Sequence, residues 1–421
     1  MIRIKRQQHI ALLIAASAIL ACPIASADAV CDWNIKVGEI VVSAKMGPPP
    51  ANRAMAIANT AVYEVVNAIT KRYPAGALKL DAAPGASVDA AVAAANRTAL
   101  AKLLPSQQAA IDSAYQAALA KVPDGSAKTS GIAAGEQAAA AVLAMRADDG
   151  AAAGETYRPQ TAAGVYVPTV IPAAPHWPQR KPWLMSSASQ FRPGPPPALT
   201  SALWARDFNE VKSLGGKSNS RRTAEQTQIA SFWEATLPPI YNGIVLSVAD
   251  VPGREVTQNA RLFAAVAQAA DDALLAVFDA KYHYSFWRPV TAIRNGDLDG
   301  NDGTDRDPAW LPLIATPAHP SYASGHATVS GAARAVLERA FGKDGHVITL
   351  THPSPTLPPG YALNYTAWDE ITDDVDDARV YGGIHFRFDQ EKGAHQGRQV
   401  GKYILRNYLR SADDDDFEDD E

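Results

Sequence analysis

Two basic residues lie seven positions apart in the stretch KYHYSFWRP, which contains Lys281 and Arg288. On a helix this spacing puts both side chains on one face, two turns apart, so that they could converge on one anion. Pro289 predicts that Arg288 lies at or near the end of that helix. Taken alone, the pair is more typical of surface cations whose stems cover apolar surface.

A Ser-Gly-His triplet stands where a second helix is predicted to begin, in HPSYASGHATVSG (319–331). Ser324 is a favourable N-cap residue, and Gly325 lets a ligand approach the backbone without a Cβ in the way. The free N–H groups and the dipole of such a turn can bind an anion. His326 lies in the same turn, although a plain capped helix start would explain the triplet as well.

The third stretch, ARVYGGIHFRFDQ, holds Arg379, His385 and Asp389. If it is helical, Asp389 can accept a hydrogen bond from the His385 ring and leave the other ring nitrogen free as a nucleophile or ligand. The alternative is an ordinary surface His–Asp pair.

Together the three stretches supply three cations, a Ser-Gly turn and two histidines. That set suits a highly charged tetrahedral oxyanion: the cations would neutralise its outer oxygens and one histidine would bond its central atom. The second histidine would move protons.

The order Lys-x6-Arg-Pro, Ser-Gly-His, Arg-x5-His-x3-Asp resembles the signature shared by vanadium-dependent haloperoxidases and type-2 phosphatidic acid phosphatases, class A bacterial acid phosphatases included. HPSYASGHA and the N-terminal AMAIANTAVYEVVNAI look like the haloperoxidase branch. Ala323 and Ala378 replace a common Pro and a common Ser of the pattern, and neither change removes a charged ligand.

The resemblance implies that His385 coordinates vanadate, or attacks phosphate in the phosphatases, and that His326 is the acid/base. It implies a catalytic set of His326, His385, Lys281 and Asp389, with Lys281 polarising a bound peroxide. The implied oxyanion-binding set is Lys281, Arg288, Ser324, Gly325, His326 and Arg379.

His319 matches a pocket position beside the vanadate in the resembling haloperoxidases. An aromatic or cationic residue there influences halide use. We expect His319 to be partly protonated at mildly acidic pH and so able to attract a halide.

Three functions are compatible with these residues. The first is a vanadate-dependent haloperoxidase, which takes hydrogen peroxide and a halide. The second is a phosphatase that acts on a phosphate monoester through His385. The third is a protein that only sequesters an oxyanion. The long segment ahead of Lys281 favours the haloperoxidase, and the oriented His385–Asp389 pair disfavours simple binding.

Helical periodicity dominates the sequence and predicts an all-α fold, a helical bundle of the type that the resemblance implies. Helices are expected at 201–215, 223–235, about 257–287, after 324, 368–382 and 393–410. We predict four regions: a signal peptide at 1–27, an N-terminal helical region with a Pro-rich wrap at 28–200, a catalytic helical domain at 201–411, and an acidic disordered tail at 412–421.

The N-terminus predicts export. Basic residues precede the apolar run IALLIAASAILA, and Ala25-Ser26-Ala27 forms a small-residue cleavage site before Asp28. Lipid attachment at Cys22 is the alternative. No later stretch is apolar enough to span a membrane. The net charge of −5 argues against a general nucleic-acid binder.

Overall fold

The computed structural model describes residues 28–75, 78–234, 237–351 and 357–408. The predicted signal peptide (1–27), with its cleavage site and Cys22, lies outside the described residues, as does the predicted acidic tail (412–421).

The described chain is mainly helical, which confirms the predicted all-α class. Its helices are α1 (Ala29–Ser43), α2 (Pro48–Thr70), α3 (Val88–Leu103), α4 (Gln108–Leu119), α5 (Ser126–Met145), α6 (Ala202–Leu214), α7 (Ala224–Phe232), α8 (Leu237–Ala249), α9 (Val256–Tyr284), α10 (Pro289–Arg294), α11 (Gly325–Phe341), α12 (Trp368–Tyr381) and α13 (Arg387–Tyr408).

Several helix starts follow directly from local capping residues. Ser201 caps α6 by accepting a hydrogen bond from the backbone N–H of Trp204. Thr223 and Gln226 form a capping box at the start of α7. The last helix, α13, begins at Arg387, earlier than the expected residue 393, so the turn that carries Asp389 is already helical.

One antiparallel hairpin, β1 (Asp344–Thr351) with β2 (Ala362–Ala367), interrupts the helical pattern and was not expected from the sequence. The strands pair from Ile348–Tyr365 to Thr351–Ala362, and an irregularity lies between Asp344 and Ile348. The hairpin is short, because the strands meet over only part of their length.

The long helix α9 forms the centre of the fold and packs against α2, α11 and α13. Helices α11 and α13 approach each other closely at glycines. A Cβ at Gly397 would collide with the carbonyl group of Thr328, and one at Gly393 would lie 2.7 Å from the carbonyl oxygen of Ser324. This close packing brings the start of α11 next to the start of α13.

The Pro-rich segment is ordered, and part of it is anchored in the core rather than lying only on the outside of the bundle. The buried guanidinium of Arg180 donates to both Asp271 carboxylate oxygens on α9, at 2.9 and 3.1 Å. Asp272 accepts the backbone N–H groups of Trp183, Leu184 and Met185. Two carboxylates of α9 therefore fix the course of this segment.

The hydrophobic core draws on residues from both sides of the predicted boundary at residue 200, since α2 packs on α9. The division into two helical regions stays a prediction. Among the helices that the structure describes, none is both long and apolar enough to cross a membrane.

Candidate active site

The three chemically suggestive stretches meet at one place. Lys281 comes from the last turn of α9, and the Ser-Gly-His triplet begins α11. His385 lies in the short connection between α12 and α13. The side chains of Lys281, Arg288, Arg379, His385 and Asp389 are all buried. The sequence-predicted residues therefore form one cluster.

His385 is held by a carboxylate on its Nδ1 side. Its Nδ1 lies 2.8 Å from Oδ2 of Asp389, in the first turn of α13. His385 itself precedes helix α13, so the pair spans the start of the helix. The sequence suggested instead that both residues lie on one helical face. Because a carboxylate only accepts, Nδ1 carries the proton and Nε2 keeps a free lone pair.

Burial raises the pKa of the Asp389 carboxyl to about 6, while a hydrogen bond from Ser321 and the charges of Lys281 and Arg288 lower it. Burial and the neighbouring cations hold the pKa of His385 well below its usual value. His385 is therefore neutral and able to act as a ligand or nucleophile.

Arg288 contacts the imidazole rings of both His385 and His319. Its Nη1 lies 3.1 Å from Nε2 of His385 and donates to the Ile384 carbonyl at 2.7 Å, and its Nη2 lies 2.9 Å from Nδ1 of His319. Burial lowers the pKa of Arg288 to about 10, so it remains charged at neutral pH.

The sequence predicted that Lys281 and Arg288 approach each other because they share a helical face, and that reason is wrong. Helix α9 ends at Tyr284, Ser285 adopts a left-handed conformation (φ 46°), and Arg288 is the extended N-cap of α10. The two cations therefore do not share a helical face. They converge because the chain turns back between the two helices.

Lys281 binds a loop. Its ammonium group donates to the carbonyl oxygens of Pro320, Ser321 and Ala323, at 3.0, 2.8 and 2.6 Å. Burial and the nearby Arg288 lower its pKa well below the usual value. Lys281 therefore fixes the loop that leads into α11.

The start of α11 forms another wall. Ser324 is buried; its hydroxyl accepts from the backbone of Ala327 at 3.4 Å, and its own N–H donates to the Asp389 carbonyl at 3.0 Å. The Ser324 side chain is thus committed to capping the helix. Gly325 and His326 line the adjoining cavity. A Cβ on Gly325 would lie 3.9 Å from Cε of Lys281.

Arg379 reaches the site from the last turn of α12 and donates through Nη1 to the Trp233 carbonyl at 2.6 Å. Its Nε is buried and has no hydrogen-bond partner within the described part of the chain. Burial and the charge of Arg288 lower its pKa to about 9. This N–H group is therefore available to an anionic ligand.

His319 lies at the cavity wall, where its ring packs against Phe278 with centroids 5.3 Å apart. Burial, Lys281 and Arg288 lower its pKa well below the usual value. The expectation that His319 is partly protonated at mildly acidic pH is therefore wrong for this structure. A neutral His319 accepts a hydrogen bond from Arg288.

Sequence reasoning missed Ser321, whose buried hydroxyl donates to Oδ2 of Asp389 at 2.5 Å. It also missed the residues that build the rest of the cavity. The cavity has a volume of about 650 Å³, and its wall includes Pro48, Pro49, Pro50, His176, Trp177 and Glu234. The Pro-rich composition of 148–200 was visible in the sequence, but nothing local marked it as a cavity wall.

Several known proteins are similar to this chain in sequence or in fold. Residues 261–414 match the sequence model of the family described as "VCPO second helical-bundle domain". The vanadium chloroperoxidase of Curvularia inaequalis is 26% identical over 273 residues, which cover 48% of this chain and 44% of that one. The first bacterial vanadium-dependent iodoperoxidase superposes with a TM-score of 0.78 at 26% identity, over 91% of this chain and 97% of that one.

The chain is thus similar to proteins of the haloperoxidase branch of this superfamily. It spans less than half the length of its curated haloperoxidase relative. A bacterial vanadium-dependent chloroperoxidase in its holo form shares 19% identity with this chain and superposes with a TM-score of 0.67, over 86% of this chain and 92% of that one. That likeness concerns the fold alone.

Proposed function

We propose that this protein is a vanadate-dependent haloperoxidase that oxidises a halide with hydrogen peroxide to hypohalous acid. The observation that carries the proposal is His385, whose Nδ1 is bound to Asp389 and whose Nε2 lies 3.1 Å from the buried Arg288 guanidinium. A neutral imidazole held in this way is a good ligand for the central atom of an oxyanion.

The residues fit vanadate. The charges of three buried basic residues, Arg288, Lys281 and Arg379, act on His385. The Nε group of Arg379 is buried with no partner in the described chain. A small anion with several oxygens would satisfy this donor and compensate the excess positive charge. His385 would hold the central atom, and Arg288, Arg379, Gly325 and His326 would face its oxygens. Lys281 donates to three loop carbonyls, so it would act on the anion through its charge.

Bound vanadate supplies the activation of hydrogen peroxide toward a halide. The protein supplies the rest. Asp389 keeps the proton of His385 on Nδ1, and Ser321 keeps Asp389 in place. Arg288 and Arg379 remain charged in a buried site, where their field is stronger than in water. His326, at the N-terminus of α11 and on the cavity wall, would transfer protons.

We also propose that the protein is exported, with hydrogen peroxide and a halide reaching it outside the cytoplasm. The basic residues, apolar run and small-residue site within 1–27 support this proposal.

The function is tested by assaying purified protein for peroxide-dependent bromination and iodination, with and without orthovanadate, and for p-nitrophenyl phosphate hydrolysis. We expect halide oxidation that requires vanadate and is inhibited competitively by phosphate. Phosphate ester hydrolysis without halide oxidation would show a phosphatase instead. Phosphate binding with neither activity would show a sequestering protein.

A further inference from the structure

The start of the helix that carries Asp389 lacks a local N-cap acceptor. The first N–H groups of a helix have no partner inside that helix, and a side-chain oxygen at the N-cap usually accepts one of them. Helix α13 begins at Arg387, and the residue before it, Phe386, has no side-chain acceptor. The N–H of Phe388 is nevertheless bound, because it donates to Oδ2 of Asp207 at 2.8 Å.

Asp207 belongs to α6, far from α13 along the chain. Its side chain is fully buried, and its other oxygen, Oδ1, accepts from Nε of the exposed Arg206 at 2.6 Å. A buried carboxylate is costly unless it is hydrogen-bonded or paired, and a negative charge is favourable at a helix N-terminus. Asp207 therefore caps α13 from a different helix.

Helix α6 also packs the side chains next to the capped N–H. Trp204 lies one turn before Asp207, and its ring centroid is 4.9 Å from that of Phe386 and 6.3 Å from that of Phe388. Apolar packing of this kind is not directional, whereas a hydrogen bond weakens steeply as its angle bends. The carboxylate of Asp207 therefore adds a contact that fixes the orientation of the first turn of α13.

This turn holds the carboxylate behind the proposed vanadate ligand. Asp389 directly follows Phe388, and its Oδ2 accepts from the Ser321 hydroxyl at 2.5 Å and the Phe386 N–H at 3.3 Å. The same oxygen lies 2.8 Å from Nδ1 of His385. All three contacts meet at one atom, so a shift of the first turn would disturb them together. A misplacement of about 1 Å can cost about a hundredfold in rate.

We propose that Asp207 is a positioning residue of the candidate active site. Through the N–H of Phe388 it fixes the turn that holds Asp389 against Nδ1 of His385. Its effect on vanadate rests on the proposed function, whereas its effect on the His385–Asp389 hydrogen bond does not.

The test uses full-length protein labelled with nitrogen-15 at histidine. In the vanadate-free protein, NMR measures the Nδ1 proton of His385, whose resonance lies far downfield when the proton is shared with a carboxylate. The His385 signals are assigned by their absence from His385→Ala. Calorimetric titration with orthovanadate then measures affinity, at a temperature where circular dichroism shows every variant folded.

We expect Asp207→Ala to move this proton resonance upfield and to speed its exchange with water. Orthovanadate binding should weaken by about tenfold, as when a group behind a ligand histidine is lost. Asp207→Asn keeps an oxygen that can accept from the Phe388 N–H, so it should return both quantities to within about threefold of the wild type. If Asp207→Ala does not fold, Asp207→Ser replaces it, because the serine hydroxyl is shorter than the carboxylate by one carbon.

Asn96→Ala is the matched control for a general loss of stability. Asn96 is buried in α3, and its amide donates to the Val92 carbonyl at 3.0 Å. This change should lower the melting temperature and leave the His385 resonance and the orthovanadate affinity unchanged.

Three results would overturn the inference. The first is an unchanged resonance and affinity in Asp207→Ala. The second is an equal loss in Asn96→Ala, which would show a general effect of destabilisation. The third is a failure of Asp207→Asn to restore both quantities, since the charge and not the hydrogen bond would then matter. If the wild type binds orthovanadate but oxidises no iodide, the proposed function is wrong, and the same variants still test Asp207.

Discussion

Nη1 of Arg288 lies 3.1 Å from Nε2 of His385, the nitrogen that the proposed function assigns to the central atom of vanadate. The guanidinium therefore lies beside the nitrogen that would bond the central atom. On the proposed function, Arg288 would donate to an oxygen of the bound anion instead of to His385.

We predict that His385→Ala abolishes vanadate-dependent halide oxidation, because it removes the bond to the central atom. Vanadate affinity, measured by titrating activity and by calorimetry, should fall by at least a hundredfold. His395→Ala, an exposed position on α13, is the matched control and should leave both quantities near those of the wild type. Full activity in His385→Ala would show that another residue binds the anion.

Asp389→Ala should weaken vanadate binding by roughly tenfold or more, as the loss of a carboxylate behind a ligand histidine does. Ser321→Ala removes one hydrogen bond to Asp389, worth about 1 kcal/mol, and should weaken binding about fivefold. Since Ser321 acts through Asp389, adding Ser321→Ala to Asp389→Ala should change little. If the losses of vanadate affinity in the two single variants add up in the double variant, as measured by calorimetric titration, Ser321 would contact the anion independently of Asp389.

His319→Ala should alter the KM for halide, and the preference among halides, while vanadate affinity stays within a factor of a few. The pH optimum should not move, because burial and two cations keep His319 neutral near pH 6. Steady-state kinetics with iodide and bromide between pH 5 and 8 measure this, with His283→Ala as an exposed control. A collapse of vanadate binding would instead make His319 a direct ligand of the anion.

Asp376→Asn should stabilise the protein at pH 8. Burial raises the pKa of Asp376 to about 7, with Asp373 and Asp377 acting in the same direction and Arg387 and Arg398 opposing them. Its Oδ1 has no hydrogen-bond partner among the residues that the structure describes.

The direction in which stability changes with pH follows from the pKa of Asp376 in the folded and unfolded states. The ordinary carboxyl pKa of 3.8 applies to the unfolded chain, so the folded state binds the proton more tightly. Stability is therefore lost as the pH rises from about 4 to 7. We expect the melting temperature of Asp376→Asn to exceed that of the wild type by about 2–5 °C at pH 8 and by less at pH 5. Asp302→Asn, in an exposed loop, should show no such trend.

N-terminal sequencing of exported protein should begin at or near Asp28. The carboxylate of Asp28 caps α1 and accepts a hydrogen bond from Asn259 at 2.7 Å, so removal of Asp28 itself would also cost stability. Protein that starts at Met1 in the cytoplasm would contradict the export proposal. A lipid-modified Cys22 would show the alternative processing.

Much of the chemistry could be predicted from the sequence, because residue types and short spacings are local properties. The cations, the Ser-Gly-His turn and the His385–Asp389 pair were all found in this way, and the structure brings them together. The β1–β2 hairpin was not found. Its alternation covers too few residues to stand out in a helical chain.

The sequence by itself determined the helical class and the identity of the groups that can hold an oxyanion, because helix periodicity and side-chain chemistry are set residue by residue. Only the tertiary structure decided how they act. The turn after Tyr284 places Arg288 at His385, three loop carbonyls engage Lys281, and a distant Pro-rich segment closes the cavity. Burial then makes His319 neutral. Desolvation depends on every neighbour in space, and these neighbours are far apart along the chain.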